Sequence, residues 1–326
     1  MVTMQDVAQA AGVSPMTVSN VVNARPHVKP ETKERVLAAI TALGYRVNTA
    51  GRTLRTGRTG TIGLAVPEVD NQYFAHLVAC VVDEAAQQGL RVAIEQTDAM
   101  RENEIEVVST SRNRLYDGLL LSTAGLADTD TDLLQVDYPI VLLGESLFDA
   151  PLDHIVMPNV AGAREATEHL ISRGCRRIAY LKRPDTELDP RRDGYLQAIA
   201  QADLEPVLIE VEGLDIASSA RAVGAALAQG LDIDAVAAFT DNLAIGAVRG
   251  AADAGLRVPD DLLVTGYDNV PLAALSVPSL TTIAPDHSVT ASTAIRFLLE
   301  RMAGSTEPPR TFTIPHTLIV RESSTR

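Results

Sequence analysis

A chain of 326 residues with 46% hydrophobic content has room for two or three domains and a large core. None of its apolar runs approaches the ~20 residues needed to span a bilayer, and the N-terminus lacks the apolar stretch of a secretory signal, which points to the cytoplasm. The net charge of −14 is unevenly spread: residues 1–60 hold eight Lys/Arg against three acids, a balance of +5 that leaves −19 for the rest. Such segregation aims the N-terminal end at phosphates and turns the body away from them.

Residues 3–23, TMQDVAQAAGVSPMTVSNVVN, read as two short helices around a tight turn. Thr3 caps the first helix with Asp6 as its reciprocal partner three residues on. Val7, Ala8 and Ala11 form the apolar stripe, and Gly12 supplies the turn. Ser14 caps the second helix, whose first position is Pro15, where a missing N–H costs nothing. Val18, Val21 and Val22 face inward, leaving Pro15, Met16, Thr17, Ser19, Asn20 and Asn23 outward. That short polar face suits a helix lying in a DNA groove, although an ordinary helical hairpin would show the same stripe. Asn20 can pair bidentately with adenine, Met16 offers apolar contact, and Thr17, Ser19 and Asn23 suit phosphates. A third helix, Pro30 to Leu43, carries Val36, Leu37, Ile40 and Leu43 at helical spacing and stops at Gly44. Residues 45–60 then form a linker rich in Arg, Thr and Gly, in which Leu54 is conspicuously apolar.

From residue 61 onward, short strands alternate with helices. Ile62–Val66, Val92–Glu95, Gly118–Leu121 and Ile140–Leu143 make a first set. After a helix over 159–173, a second set follows: Ile178–Lys182, Val207–Val211, Val236–Phe239 and Leu263–Gly266. This alternation predicts parallel sheets covered by helices on both faces, in two similar subdomains with a cleft between them. Ligands in such sheets sit beyond the carboxyl ends of the strands. No Ser/His/Asp or Cys/His set, Walker loop or HExxH motif is present, and the six histidines are scattered. GLAVPEVDN lacks the dinucleotide fingerprint, and Cys80 and Cys175 read as two buried thiols. Neither an enzyme, a cofactor nor a metal site is expected.

The motifs DVAQAAGVSPMTVSNVVN, the Leu54 linker, TIGLAVPEVDNQYF, GYDNVPLA with PSLTTI, and PHTLIVRESS run through nearly the whole chain. Together they resemble the LacI (lactose-repressor) family of bacterial transcription regulators. The resemblance implies an all-α helix–turn–helix head at 1–46 and a hinge at 47–60. It also implies an α/β effector and dimerisation domain at 61–326, like periplasmic binding proteins, with two doubly wound subdomains at about 61–157 plus 288–326 and about 158–287. It implies a homodimer on a pseudo-palindromic DNA operator, with Thr3, Ser14 and Lys33 joining the contacts named above. Leu54 would wedge into the minor groove beside Arg52 and Arg55, and Gly51 departs from the usual alanine.

For the effector, Asn71, Tyr73 and Phe74 follow the first strand, and Ser122 ends the third. In the second subdomain, Arg191 of RRDGYLQA would grip the ligand, with Asp215, Thr240, Asp241 and Asp268 around it. Helix packing is an equally ready explanation for Phe74. Thr240 stands where Asn is more usual in the family, Asp215 where an aromatic is, Pro158 where an acid is, and Pro285 where Gln is. A sugar or other hydroxylated effector of a repressor is the expectation. A purine-like corepressor is the alternative within the class, and a stand-alone sugar-binding or enzymatic protein the alternative outside it.

Overall fold

A computed structural model describes residues 2–22, 28–45, 57–112, 115–144, 150–182 and 189–326. The chain divides into two compact units, Met1–Thr59 and Gly60–Arg326.

The first unit is all-α. Helix α1 (Met4–Ala11) opens with the expected capping box between Thr3 and Asp6 and closes on Gly12, whose φ of 62° is a left-handed position that favours glycine. Helix α2 (Pro15–Val22) has the Thr17 N–H donating to Ser14 Oγ at 3.1 Å. Helix α3 (Pro30–Leu43) ends at Gly44, again left-handed. Val7, Ala8, Ala11, Val18, Val21, Val36 and Ala39 form the core between them. Leu37 and Leu43, assigned to the apolar stripe by their spacing, stay exposed, because Ala39 and Ile40 take the inward positions on α3.

The second unit holds two six-stranded sheets. The first runs β11-β5-β4-β3-β1-β2, all parallel, from β1 (Thr61–Val66), β2 (Arg91–Gln96), β3 (Leu119–Ser122), β4 (Ile140–Leu143), β5 (Asp153–Val156) and β11 (Thr311–Thr313). Helices α4 (Gln72–Gln87) and α11 (His287–Met302) bury Leu77, Val81 and Ile295 against one face of it. Helix α5 (Arg101–Arg112) covers the other with Val107 and Val108.

The second sheet runs β12-β10-β9-β8-β6-β7, from β6 (Ile178–Lys182), β7 (Val207–Glu210), β8 (Ala235–Ala238), β9 (Leu263–Tyr267), β10 (Thr281–Pro285) and β12 (His316–Ile319). Helices α6 (Asn159–Ser172) and α7 (Pro190–Gln201) cover one face, with Leu170 and Tyr195 buried there. Helices α8 (Ile216–Ala228) and α9 (Asp241–Asp253) cover the other, joined there by Ala273 of the short α10 (Pro271–Leu275). Continuous burial along β1, β3, β4 and β8 is what a strand flanked by helices on both sides requires.

The chain crosses between the two lobes three times. The first two crossings fall at 157–158 and 286, close to where the sequence places them. The third was not foreseen. The expectation that residues 288–326 all return to the first lobe fails after β11, because β12 pairs antiparallel with β10 in the second sheet. The Ser323 hydroxyl then donates to the Val264 carbonyl at 2.7 Å and fixes the tail there. In the first lobe, buried Asp153 accepts from Arg301 Nε at 2.9 Å and Arg310 Nη2 at 3.0 Å, tying β5 to α11 and to the approach of β11.

Candidate functional site

The outer face of α2 presents Pro15 and Met16 fully to solvent, with Thr17, Ser19 and Asn20 half-buried behind them. Met16 is 72% exposed, a large apolar side chain with no place in the core of its own unit. Lys33 is exposed on α3. The Thr3 and Ser14 hydroxyls are engaged locally: Thr3 Oγ1 donates to Asp6 at 2.8 Å, and Ser14 Oγ lies 3.0 Å from Thr17 Oγ1. Asn23, Arg52, Leu54 and Arg55 lie outside the described residues.

In the second unit, the carboxyl ends of the strands open on a cleft of about 350 Å³, within the ~300–1,000 Å³ of small-molecule sites. Arg191, on the first turn of α7, forms its floor on the second lobe. Its Nε donates to Asn159 Oδ1 at 2.6 Å, Nη1 to the Phe239 carbonyl at 2.5 Å, and Nη2 to Asp268 Oδ1 at 3.3 Å. The guanidinium carbon lies 3.7 Å from the centre of the Tyr267 ring and 4.6 Å from that of Phe239. Burial opposes the charge of Arg191, and the Asp268 carboxylate with the surrounding tyrosines offsets it, so the group stays above its ordinary pKa. Burial likewise pushes the Asp268 carboxyl up, to about 6, against the opposing pull of Arg191.

Asp268 sits in a left-handed backbone position, φ 106°, and Asn269 follows at 49°. Such a turn persists only where its surroundings fix it. Arg321 Nη2 donates to Asn269 Oδ1 at 2.8 Å, while the Val270 N–H and the Thr282 hydroxyl donate to Asp241 at 2.8 and 2.5 Å. Asp241 is therefore a buried bracket beneath Asp268, and it does not line the cleft. A Cβ at Gly266 would clash with Asp241 Oδ1, so this strand needs glycine for the carboxylate to approach. Burial, followed by the nearby Asp268 charge, raises the Asp241 carboxyl well above the usual range.

On the first lobe, Asn71, Tyr73, Phe74 and Ser122 all line the cleft. Asn71 is the N-cap of α4, accepting from the Tyr73 N–H at 3.0 Å. Tyr73 packs against the cores of both lobes, and its hydroxyl donates to Met157 Sδ at 3.3 Å across the first crossing. The ring of Phe74 stands edge-on to it at 5.0 Å. The loop that follows Ser122 is held from behind by buried Glu104, which accepts from the N–H groups of Ala124, Gly125 and Leu126 at 2.8–2.9 Å.

The structure thus brings Asn71, Tyr73, Phe74, Ser122, Arg191, Thr240 and Asp268 to one cleft. Asp215 is left out: its carboxylate is spent as the N-cap of α8, accepting from the Ser218 N–H at 2.9 Å, and Leu214 lines the cleft in its place. Asn159 was missed, although a polar residue opening a helix at a lobe crossing was a usable signal. Phe239 was missed although it ends the expected strand Val236–Phe239; it gives Arg191 both its backbone carbonyl and the face of its ring. Of the two thiols, Cys175 is buried and Cys80 only half-buried. Among the described residues no helix is long and apolar enough to cross a membrane, and no cluster of ligating side chains could hold a metal ion.

Residues 3–48 match the profile of bacterial regulatory proteins of the lacI family, and residues 167–324 that of the periplasmic binding protein-like domain. The ribose operon repressor of Halalkalibacterium halodurans is 32% identical, the alignment covering 99% of this chain and 97% of that protein. The HTH-type transcriptional repressor PurR of Mannheimia succiniciproducens is also 32% identical, with 99% and 98% covered. Among solved structures, the lac repressor dimer bound to operator and the anti-inducer ONPF superimposes with a TM-score of 0.85 at 27% identity, covering 100% of this chain and 99% of that one. A regulator described as of the LacI family, from Sanguibacter keddieii, gives 0.76 at 40% identity over 82% of this chain and 99% of its own.

Proposed function

We propose a function on one settled premise: this chain belongs to the lacI family of bacterial regulatory proteins. It is a sequence-specific DNA-binding repressor, working in the cytoplasm as a homodimer on a pseudo-palindromic operator and carrying out no catalysis. A small hydroxylated molecule bound between Arg191 and Asp268 on one lobe and Asn71, Tyr73 and Ser122 on the other controls it.

The observation that carries this reading is the union, in one chain, of an α2 outer face that carries exposed Met16 beside half-buried Thr17, Ser19 and Asn20 with a two-lobed cleft floored by a buried Arg191–Asp268 pair. Two identical heads related by a two-fold axis need two matching half-sites. A ligand that touches both lobes favours one lobe orientation over another and so biases how the two hinges are spaced. Asp268 accepts from ligand hydroxyls, and the guanidinium N–H groups left over by Asn159, Phe239 and Asp268 donate to them.

The test is a selection of duplexes from a random pool by the full-length protein, followed by titration of the recovered DNA against a panel of neutral sugars, nucleosides and small acids. An inverted repeat should emerge, and at least one compound should shift affinity about 5- to 150-fold. The direction of that shift distinguishes inducer from corepressor. Failure to enrich any sequence would refute the DNA-reading role.

A further inference from the structure

The second unit begins at Gly60, immediately ahead of β1. Its φ of 69° lies in the left-handed region. Glycine enters that region about as readily as the ordinary one, so the residue alone does not choose the direction in which the linker meets the lobe. Its neighbours make the choice. The Gly60 carbonyl accepts from the Arg91 N–H of β2 at 3.0 Å. On the opposite side, towards β3, the Gly60 N–H donates to Asp117 Oδ2 at 2.7 Å.

Asp117 stands just ahead of β3, where backbone pairing with β1 runs out. The outermost such bonds are from the Gly63 N–H to the Gly118 carbonyl at 2.9 Å and from the Asp117 N–H to the Thr61 carbonyl at 2.8 Å. The Asp117 side chain thus carries the grip on β1 further out than the backbone of β3 reaches. Its own position is fixed on both sides. Tyr116 is buried, donates its hydroxyl to Glu95 on β2, and lies so close beneath Gly63 that a Cβ there would clash with its ring. Gly118 packs as tightly against Leu298 of α11. Asp117 is half-buried and takes no part in lining the cleft.

We infer that Asp117 is a positioning residue for operator recognition: by fixing Gly60 it sets the direction in which each linker leaves its lobe, and so the half-site spacing that the dimer accepts. This rests on the proposed binding of a homodimer to a two-fold operator. Two heads on two linkers meet two half-sites only at separations that the linkers allow. A linker free to leave in several directions has to be ordered on binding, and it fits several separations, each less tightly.

The experiment uses the full-length protein and the inverted repeat that it recovers from a random pool, rebuilt with the half-sites one and two base pairs closer together and further apart. A duplex with a single half-site is the reference. The parent should favour the recovered spacing by about tenfold or more, as expected for linkers whose exit is already ordered. Asp117→Ala should bind that spacing about tenfold more weakly and the others within about threefold of it, with the single half-site bound as by the parent. Asp117→Asn keeps an oxygen to accept from the Gly60 N–H and should restore the parent's ranking. Gly60→Ala leaves the carboxylate in place but disfavours the left-handed turn, and it should flatten the ranking whether or not Asp117→Ala folds. A parent-like ranking in Asp117→Ala or Gly60→Ala overturns the inference, as does an Asp117→Asn that behaves like Asp117→Ala. Equal weakening of Asp117→Ala on the single half-site overturns it too, because the effect would then lie outside the spacing. If the parent enriches no inverted repeat, the operator reading falls and this inference with it.

Discussion

Arg191 and Asp268 meet in the second lobe with Nη2 and Oδ1 3.3 Å apart, both almost wholly withdrawn from water. Neither charge is tolerable there alone, because burial penalises the ionised form of each and the partner is the largest offset to it.

Arg191→Ala should therefore do more than abolish a ligand contact. It strands the Asp268 carboxylate and frees the Asn159 amide and the Phe239 carbonyl. A loss of about 3–5 kcal/mol is expected for breaking a buried pair from one side, measured by urea denaturation at pH 7. Arg191→Lys, which keeps the charge but not the fork, should lose less stability while still losing the effector response. Two variants of equal stability would show that charge pairing is not what holds this floor together.

The same pair makes stability depend on pH. The Asp268 carboxyl is raised from 3.8 to about 6, so its contribution is fully present below about pH 3.8 and is lost as pH rises through about 6. Above that, ionisation costs on the order of 3 kcal/mol. Asp241, raised in the same direction, steepens the slope. Asp153 works oppositely. Burial would raise its carboxyl, but Arg301 and Arg310 outweigh that and hold it at about 2, so its contribution disappears only as pH falls from 3.8 towards 2. His287, lowered from 6.5 to about 4 chiefly by burial, contributes stability that rises with pH over the same window, so thermal stability between pH 4 and 6 should climb more steeply with pH in Asp268→Asn than in the parent. An unchanged slope in that variant would refute the assignment.

Glu104 supports the first-lobe wall by accepting from three successive backbone amides. Glu104→Ala removes the acceptor and adds a void, and about 3 kcal/mol of lost stability follows from the orphaned donors. Hydrogen exchange should accelerate at Ala124, Gly125 and Leu126 before it does in the β3 strand. Uniform acceleration across the lobe would mean that the glutamate acts on the whole fold rather than on this loop.

On the head, Asn20→Ala should change which bases are preferred in a duplex selection, by about 1–3 kcal/mol at one position of each half-site. Lys33→Ala should instead weaken every duplex alike and lower the salt slope by about one unit. Equal weakening on all operator variants for Asn20→Ala would remove it from the base-reading set.

The head and the main strands were legible because their signals are local. A capping box, a Pro at the first helical position and a left-handed Gly each work within four residues, and β1, β3 and β4 are mostly apolar runs, with Thr61 opening β1 and Ser122 ending β3. The strands Asp153–Val156 and Thr281–Pro285 were not foreseen, since polar residues fill them. Asp153, His154, Thr281 and Thr282 are buried there because Arg301, the Gly144 carbonyl, Ser324 and Asp241 satisfy them. Those partners lie far off in sequence or on a later turn, so pattern alone gives no hint of them. In the cleft, strand-end reasoning points to Ser122 and Asp268, and both line it. Asp241, placed by the same reasoning, and Asp215, placed by the family resemblance, are off the lining: Asp215 accepts from the Ser218 N–H of its own helix, and Asp241 from the Val270 N–H 29 residues on.

The third crossing has a consequence for how this molecule is made. The edge strand of the first sheet is residues 311–313 and that of the second is 316–319. During synthesis each sheet waits for its own segment, and the two leave the ribosome within a few residues of each other. Until then β5 and β10 each expose an open ladder of N–H and C=O groups, the kind of edge that recruits a foreign strand. Nine residues near the carboxyl end thus close both lobes together, and a ribosome that stalls short of residue 311 leaves two unfinished sheets rather than one finished lobe.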